Sequence, residues 1–220
     1  MERPSGRRVR SRVPRTRTAP HAYHHGNLRR ALVEAAIELM RTGGPEALTL
    51  REAARRAGVS QAAPYRHFKD KRALVAAVAE EGFRALTKEM QEAQAAEGRD
   101  PMRRLRALGL TYVRFALKHP SHFRVMFGRE VADKSDLPEL AQAANETFGL
   151  LASGVSASQA AGLAPKGEAM SLAVAAWAMV HGLAALLIDG QLTKLSGGSA
   201  EDLARIATTA LFGGGRSAGN

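Results

Sequence analysis

The chain contains no cysteine among its 220 residues, which excludes disulfide scaffolds, thiolate zinc sites and cysteine nucleophiles. It has few signals for β-structure, because Val, Ile, Thr and aromatic residues never alternate over a sustained stretch. Glycine patterns for phosphate or dinucleotide binding, the Gly-x-Ser-x-Gly elbow and the HExxH motif are absent too. These absences predict an all-α protein that is not an enzyme and needs no cofactor, and nothing argues for secretion.

Acidic residues are scarce at the start of the chain. Residues 1–20 hold seven Arg and one Glu, residues 21–72 hold ten basic and five acidic residues, and residues 73–220 hold fifteen of each. The net charge of +11 therefore lies entirely in the first third. This asymmetry predicts a polyanionic partner for the N-terminal part and another task for the neutral remainder.

Both ends of the chain look unpacked. Residues 1–20 are predicted to be a disordered basic arm, and residues 213–220 a disordered tail. The arm either follows DNA phosphates or the minor groove, or is a solvated tail.

Residues 169–188 include no formally charged side chain, and their number matches that of a membrane helix. Seven of these twenty residues are Ala, His181 lies inside the stretch, and no second span or aromatic belt accompanies it. The composition favours a buried helix in a cytoplasmic protein without a membrane partner.

Apolar residues recur at helical spacing along most of the chain. Two short helices are expected between residues 42 and 70. The other predicted helices cover residues 27–41, 71–96, 102–118, 121–127, 137–153, 166–192 and 200–212.

The most informative segment is residues 49–68, TLREAARRAGVSQAAPYRHF. Thr49, followed three residues later by Glu52, predicts a capping box that starts a helix. Gly58 can adopt the left-handed conformation that ends this helix, and Ser60 is expected to cap a second helix that runs to Phe68. The segment predicts helix, tight turn and helix, although an ordinary helical hairpin has the same spacing.

Polar side chains distinguish the second helix from a purely structural one. Gln61 can pair with an adenine edge and Arg66 with a guanine edge, and each good pair discriminates by about 1–3 kcal/mol. Tyr65 and Lys71 suit phosphate oxygens, which set the register without reading sequence. Together with the neighbouring donors His67, Lys69 and Arg72, these residues favour insertion into a DNA major groove.

Residues 26–86 resemble the DNA-binding domain of TetR-type transcriptional regulators. The resemblance rests most on Ala-Gly-Val-Ser at 57–60 and on Tyr-Arg-His-Phe at 65–68, followed by Lys69, Asp70, Lys71 and Leu74. It implies that Tyr65, His67 and Lys71 contact the DNA backbone and that Arg51, Gln61 and Ala62 reach bases. The expected DNA-binding residues are Thr49, Arg51, Gln61, Ala62, Tyr65, Arg66, His67 and Lys71.

Ala63 and Pro64 depart from the family pattern, in which Thr and Leu are frequent at these positions. One usual phosphate-contacting hydroxyl is therefore missing. Pro64 also removes one early hydrogen bond of the second helix.

The resemblance implies the domain organisation. Residues 21–86 form a three-helix helix-turn-helix DNA-binding domain with its motif at 49–68, and residues 87–212 form a helical-bundle domain for effector binding and dimerisation. Members with Ala-Pro-Tyr-Arg-His-Phe often carry a Trp, a His and a Gly in the second domain, as this chain does at Trp177, His181 and Gly182. By likeness, a small hydrophobic or amphipathic effector releases a repressor from double-stranded, palindromic operator DNA.

A protein that recognises a palindromic operator needs two recognition helices about 34 Å apart, and a two-fold homodimer supplies this spacing. Two apolar stripes suit a four-helix dimer interface, or alternatively serve only the core of the monomer. One stripe comprises Ala175, Ala178, Gly182 and Ala185; the other comprises Leu203, Ile206, Ala207, Ala210 and Leu211.

Bulky side chains of the second domain match the walls of small-molecule cavities, with His181 as a polar anchor. Helical spacing alone favours a plain core, whereas the resemblance implies a ligand site. The candidate ligand-binding residues are Phe115, Phe123, Met126, Phe127, Phe148, Met170, Trp177 and His181.

Three other interpretations have weaker support. His24 with His25, and His119 with His122, lack the third ligand that a metal site needs. A DNA-coating architectural protein without an effector would also carry the positive charge. A helical enzyme with a catalytic His181 is a further alternative.

Overall fold

A computed structural model describes residues 28–192, 198–210 and 212, and the described chain is all-helical, as predicted. The basic arm, Leu211 and the tail at 213–220 lie outside these residues. Short 3-10 helices occupy Pro45–Ala47, Ala63–Arg66 and Arg129–Val131. The α-helices are α1 (Leu28–Gly43), α2 (Leu50–Arg56), α3 (Lys71–Ala96), α4 (Pro101–Lys118), α5 (Pro120–Met126), α6 (Pro138–Ala160), α7 (Ala169–Ile188) and α8 (Ala200–Ala210).

Carboxylate side chains fix the starts of three long helices by accepting hydrogen bonds from first-turn amides. Asp70 accepts from the Ala73 amide at 2.8 Å before α3. Asp100 accepts from the Met102 amide at 2.9 Å before α4, and Glu168 plays the same part before α7. For α3 the observed bounds are those predicted from the sequence.

Helix α6 is longer than predicted and α7 is shorter. Gly154 does not end α6: a Cβ atom built on it would lie 3.2 Å from Leu105 Cδ1. This glycine therefore allows α6 to approach α4 closely. By contrast, Gly167 and Gly190 bound α7, and both have positive φ angles, of 145° and 69°, which disfavour continuation of a helix.

Helix α3 connects the N-terminal helices to the rest of the fold. It packs against α1 near its start and against α4, α5 and α6 along its length. Gly82 permits one close crossing, because a Cβ atom there would lie 2.8 Å from Met126 Cγ of α5. The first turn of α3 follows the helix-turn-helix motif, while Phe83 and Met90 further along line a cavity that opens to solvent.

The prediction that residues 169–188 form a buried helix is wrong for most of α7. Only Ala173, Ala176, Val180 and Ala184 are buried, because α4, α6 and α8 pack on one side of the helix and leave its other side open. By length and composition, α7 is the one helix in the described part of the chain that could cross a membrane.

Candidate nucleic-acid interface and ligand pocket

The start and end of α2 follow from local chemistry. Thr49 has an extended backbone, and its hydroxyl accepts a hydrogen bond from the Glu52 amide at 3.0 Å. The return half of the predicted capping box does not form, because the Glu52 carboxylate instead accepts from Arg55 Nε at 2.9 Å. Gly58 has a φ of 70° and ends the helix as predicted.

The prediction of a second α-helix from Ser60 to Phe68 is wrong. Only Ala63–Arg66 is helical, as a 3-10 turn preceded by Ala62 without a side-chain cap. Pro64 has no amide proton to donate to the Ser60 carbonyl, and its ring would crowd that carbonyl in an α-helix. The Ala63 amide instead donates a hydrogen bond to the Ser60 carbonyl, with an N–O distance of 3.0 Å.

The structure brings the residues expected to contact DNA into one short exposed segment around this turn. Thr49, Arg51, Gln61, Ala62, Tyr65, Arg66 and His67 are exposed, with Tyr65 at 54%, and Lys71 is half-buried.

The arginines of this region fall into two groups. Arg55 pairs with Glu52, and both Arg41 and Arg56 pair with Glu38. Arg51 and Arg66 have no carboxylate partner within the described residues. Because no carboxylate of the described residues neutralises their charge, these two guanidinium groups are available to an external anion.

The sequence groups Arg72 with the polar residues predicted to enter the DNA major groove, but its guanidinium group faces another part of the chain. Its Nη1 atom lies 2.5 Å from Asp136 Oδ2. Its Nε atom donates to the Glu130 carbonyl at 3.0 Å and its Nη2 atom to the Asp133 carbonyl at 2.8 Å. The guanidinium lowers the pKa of Asp136. Arg72 therefore ties the first turn of α3 to the loop that precedes α6.

A cavity of about 370 Å³ lies between α3, α4, α6 and α7. This volume falls in the usual range for small-molecule sites, about 300–1,000 Å³. Its walls are almost entirely apolar and rich in aromatic rings. The lining residues are Phe83, Met90, Leu108, Gly109, Tyr112, Phe127, Lys134, Ala144, Asn145, Thr147, Phe148, Leu151, Val174, Trp177 and Val180.

Three of the eight candidate ligand-binding residues line this cavity: Phe127, Phe148 and Trp177. The other five do not. Met170 is half exposed in the first turn of α7, and His181 is half-buried beside the cavity. The remaining three are buried in the core, because their faces of α4 and α5 are covered by neighbouring helices: Phe115, Phe123 and Met126.

His181 forms part of a hydrogen-bonded network inside the C-terminal region. Tyr112 Oη lies 2.8 Å from His181 Nδ1 and accepts from Trp177 Nε1 at 3.2 Å. Burial lowers the pKa of His181 and raises that of Tyr112, so both groups are neutral near pH 7. The indole can only donate, so the Tyr112 hydroxyl accepts from Trp177, and it donates its own proton to Nδ1 in the His181 tautomer that carries its proton on Nε2. One ring nitrogen of His181, the side chain expected to anchor a ligand, is thus bonded to Tyr112.

Sequence reasoning did not identify Tyr112, Phe83 or Lys134 as pocket residues. They come from α4, α3 and the loop before α6, and no local motif connects them. Tyr112 could have been suspected, because a tyrosine on an apolar helix face needs a polar partner. Lys134 has no such signal, because its position depends on how the loop folds.

Of the two histidine pairs considered as metal ligands, one lies in the described part of the chain. His119 and His122 have ring centroids 6.0 Å apart, and His24 and His25 lie outside the described residues. No group of three or more potential ligands is gathered for a metal ion within the described ranges.

Of the two stripes considered for dimerisation, the one on α7 is largely open. Ala175 and Ala178 are exposed, and a Cβ atom on Gly182 would have no neighbour within 4 Å. They lie opposite the buried stripe of α7, given about 100° of rotation per residue. On α8, Ile206 is 64% exposed and Ala210 is exposed, Leu203 and Ala207 are half-buried, and Leu211 lies outside the described residues. The stripe on α7 therefore does not serve mainly the core of the monomer.

Two family models match the chain. Residues 32–78 match the model described as bacterial regulatory proteins, tetR family. Residues 105–211 match the model described as tetracyclin repressor-like, C-terminal domain. The class C tetracycline repressor protein of Escherichia coli is 52% identical over 52 residues. That alignment covers only 24% of this chain and 24% of the repressor.

Solved structures share the fold over most of their length. A protein of unknown function from Rhodococcus sp. RHA1 superimposes with a TM-score of 0.78 and 35% identity, covering 89% of this chain and 98% of that one. The TetR family transcriptional regulator PfmR from Thermus thermophilus gives a TM-score of 0.65 with 19% identity, covering 83% of this chain and 97% of its own. At that identity the second likeness supports the fold alone.

Proposed function

Since the chain belongs to the TetR family of bacterial transcriptional regulators, we propose that it is a ligand-responsive repressor and not an enzyme. It acts as a cytoplasmic homodimer that binds palindromic operator DNA and dissociates when a small hydrophobic or amphipathic molecule enters its pocket. One observation carries the proposal: α3 begins at an exposed polar helix-turn-helix and, further along, forms a wall of an apolar cavity.

Residues 21–86 form the DNA-binding domain in this proposal. Arg51, Gln61 and Ala62 face bases, and Tyr65, His67 and Lys71 hold the phosphate backbone. Thr49 and Arg66 complete the contact set. The exposure of this segment and the charge of Arg51 and Arg66 support these roles, because exposed charge without a partner among the described residues attracts a polyanion.

Residues 87–212 bind the effector and join two copies. The outward stripe on α7 is apolar and largely uncovered, and Ile206 and Ala210 expose apolar surface on α8. An exposed apolar surface of this kind marks an interaction site, and small residues such as Ala178 and Gly182 allow two helices to approach closely. A four-helix contact between copies would cover the open side of α7, so the helix needs no membrane.

Arg72 supplies a path from the pocket to the DNA. The loop that it holds also carries Lys134, which lines the cavity. A ligand that favours another position of this loop would shift α3 and change the separation of the two recognition turns. Operator affinity would fall by the difference in the ligand's affinity for the two states, and by no more.

Competition with bulk DNA tests the proposal. A site selected from random DNA by the purified protein should keep its affinity against nonspecific competitor, with a preference of roughly a thousandfold or more. The selected sequence should be palindromic, because the reader is two-fold symmetric. Equal displacement from every DNA would instead support an architectural protein without an effector.

A further inference from the structure

The polar groups in the interior of the pocket are already satisfied by the protein. The Tyr112 hydroxyl bonds to His181 and Trp177. The Thr147 hydroxyl lies 2.7 Å from that of Thr87 and 3.0 Å from the Ala143 carbonyl. A ligand inside this cavity therefore meets apolar and aromatic surface, with no polar group in need of a partner.

Two polar side chains of the lining remain, and both lie toward solvent. Lys134 is half-buried and Asn145 is exposed. Lys134 has no ion-pair partner among the residues that the structure describes. The acids closest to it in sequence are engaged elsewhere: the Asp136 carboxylate pairs with Arg72, and the Asp133 carboxylate accepts from the Ser135 amide at 2.9 Å.

We propose that the pocket binds an anionic amphipath, with its apolar body in the cavity and its acidic head group at Lys134. The inference rests on the proposed function and names the chemical class of the effector. Burial of the apolar body supplies most of the affinity, at about 25 cal/mol per Å². The ammonium group of Lys134 gives a charge-assisted hydrogen bond, and the Asn145 amide is a second donor.

The position of Lys134 at the rim makes this charge pair favourable. A head group held there stays partly hydrated, so the desolvation penalty of a fully buried ion pair is avoided. The lining contains no acidic residue. A cationic amphipath would find repulsion at Lys134 without a compensating carboxylate, and a neutral one would leave the ammonium unpaired. The lining thus selects for negative charge.

Tryptophan fluorescence reports directly on the pocket, because Trp177 is the only Trp of the chain and is a lining residue. Decanoate, decanol and decyltrimethylammonium are titrated at pH 7.5, below their aggregation concentrations, while the fluorescence of Trp177 is recorded. Decanoate should bind about fivefold more tightly than decanol, the value of a partly exposed charge pair. Decyltrimethylammonium should bind most weakly.

Substitutions at Lys134 identify the group responsible. Lys134→Gln should abolish the preference for decanoate over decanol, whereas Lys134→Arg should retain it. Lys88→Gln is the matched control, because Lys88 is an exposed lysine of α3 outside the lining; it should leave the preference unchanged. Thermal melts establish that each variant folds.

The outcomes separate this inference from the function on which it rests. Equal affinities for decanoate and decanol, or a preference that survives Lys134→Gln, would overturn the anionic class even if a bound amphipath still releases the operator. If none of the three compounds changes the Trp177 signal, the pocket does not bind amphipaths and the inference fails as well. Operator binding, measured separately without ligand, decides the DNA-binding proposal independently.

Discussion

The two ends of the molecule expose opposite kinds of surface. Around the helix-turn-helix, the exposed side chains are basic, amide, phenol and imidazole groups, and Arg51 and Arg66 have no carboxylate partner among the described residues. In the C-terminal region the net charge is zero, and exposed apolar side chains are frequent. The large ones are Leu117, Leu163, Met170, Val174, Leu186 and Ile206.

This contrast indicates that the two regions expose surfaces for two different kinds of binding partner. The polar end has charge that no carboxylate of the described residues neutralises and that an external polyanion can. The apolar stripes of α7 and α8 have surface that only another apolar surface can cover. The two needs are consistent with one assembly, a dimer on DNA, and variants at each surface should affect it differently.

Ala178→Arg should have the largest effect on this assembly. Two copies of the variant would bring like charges together on a close helix contact, which costs several kcal/mol in an interface. We expect a monomer, with operator affinity reduced by about a hundredfold or more because two half-sites are no longer read together. Analytical ultracentrifugation and DNA titration measure both effects.

Gln91→Arg is the matched control, since Gln91 is an exposed residue of α3. A dimer that persists in Ala178→Arg, with operator affinity unchanged, would place the dimer interface elsewhere.

Gln61→Ala and Lys71→Ala should divide the DNA surface into two roles. Loss of a base contact at Gln61 should cost about 1–3 kcal/mol at the preferred base and relax the preference there. Lys71→Ala should weaken binding to all sequences and reduce the salt slope by about one unit. Binding is measured on the selected site and on a one-base variant at several salt concentrations.

Lys88→Ala serves as the charge-matched control for Lys71, because Lys88 lies on the same helix away from the helix-turn-helix. If Gln61→Ala and Lys71→Ala change specificity and salt dependence alike, the division into base and phosphate contacts is wrong.

Arg72→Gln should have the smallest effect, confined to communication between the two regions. Operator affinity without ligand should change by less than about threefold, whereas the coupling free energy should fall by about 0.5–2 kcal/mol. The measurement compares operator affinities with and without decanoate. Arg84→Gln is the control, because Arg84 pairs with Glu80 inside α3. Unchanged coupling in Arg72→Gln would show that the signal takes another route.

Local chemistry explains where sequence reasoning succeeded. The Thr49 cap, the positive φ of Gly58 and the bounds of α3 each depend on residues within a few positions along the chain. The failures around Ser60 and Glu52 arose from competition at short range. Pro64 removed the donor that an α-helix requires, and Arg55 took the carboxylate that a capping box would use.

The residues that line the pocket could not be predicted from the sequence in the same way. Periodicity placed Phe115, Phe127 and Trp177 on apolar helix faces, but it did not distinguish a core position from a cavity wall. That distinction depends on which neighbouring helix covers each face. Only the packed helices separate the buried Phe115 from Phe127 and Trp177 at the cavity.

The amino-acid sequence by itself determined the all-α class, the capped first helix and the glycine turn of the helix-turn-helix, and the concentration of positive charge in the first third, because composition, periodicity and capping act over short distances. The tertiary structure decided that Arg72 faces the loop before α6, that His181 bonds to Tyr112, and that Lys134 lines the cavity. Each of these contacts joins residues about sixty positions apart or groups side chains from several helices. Such contacts are set by the packing of whole helices, which no local pattern encodes.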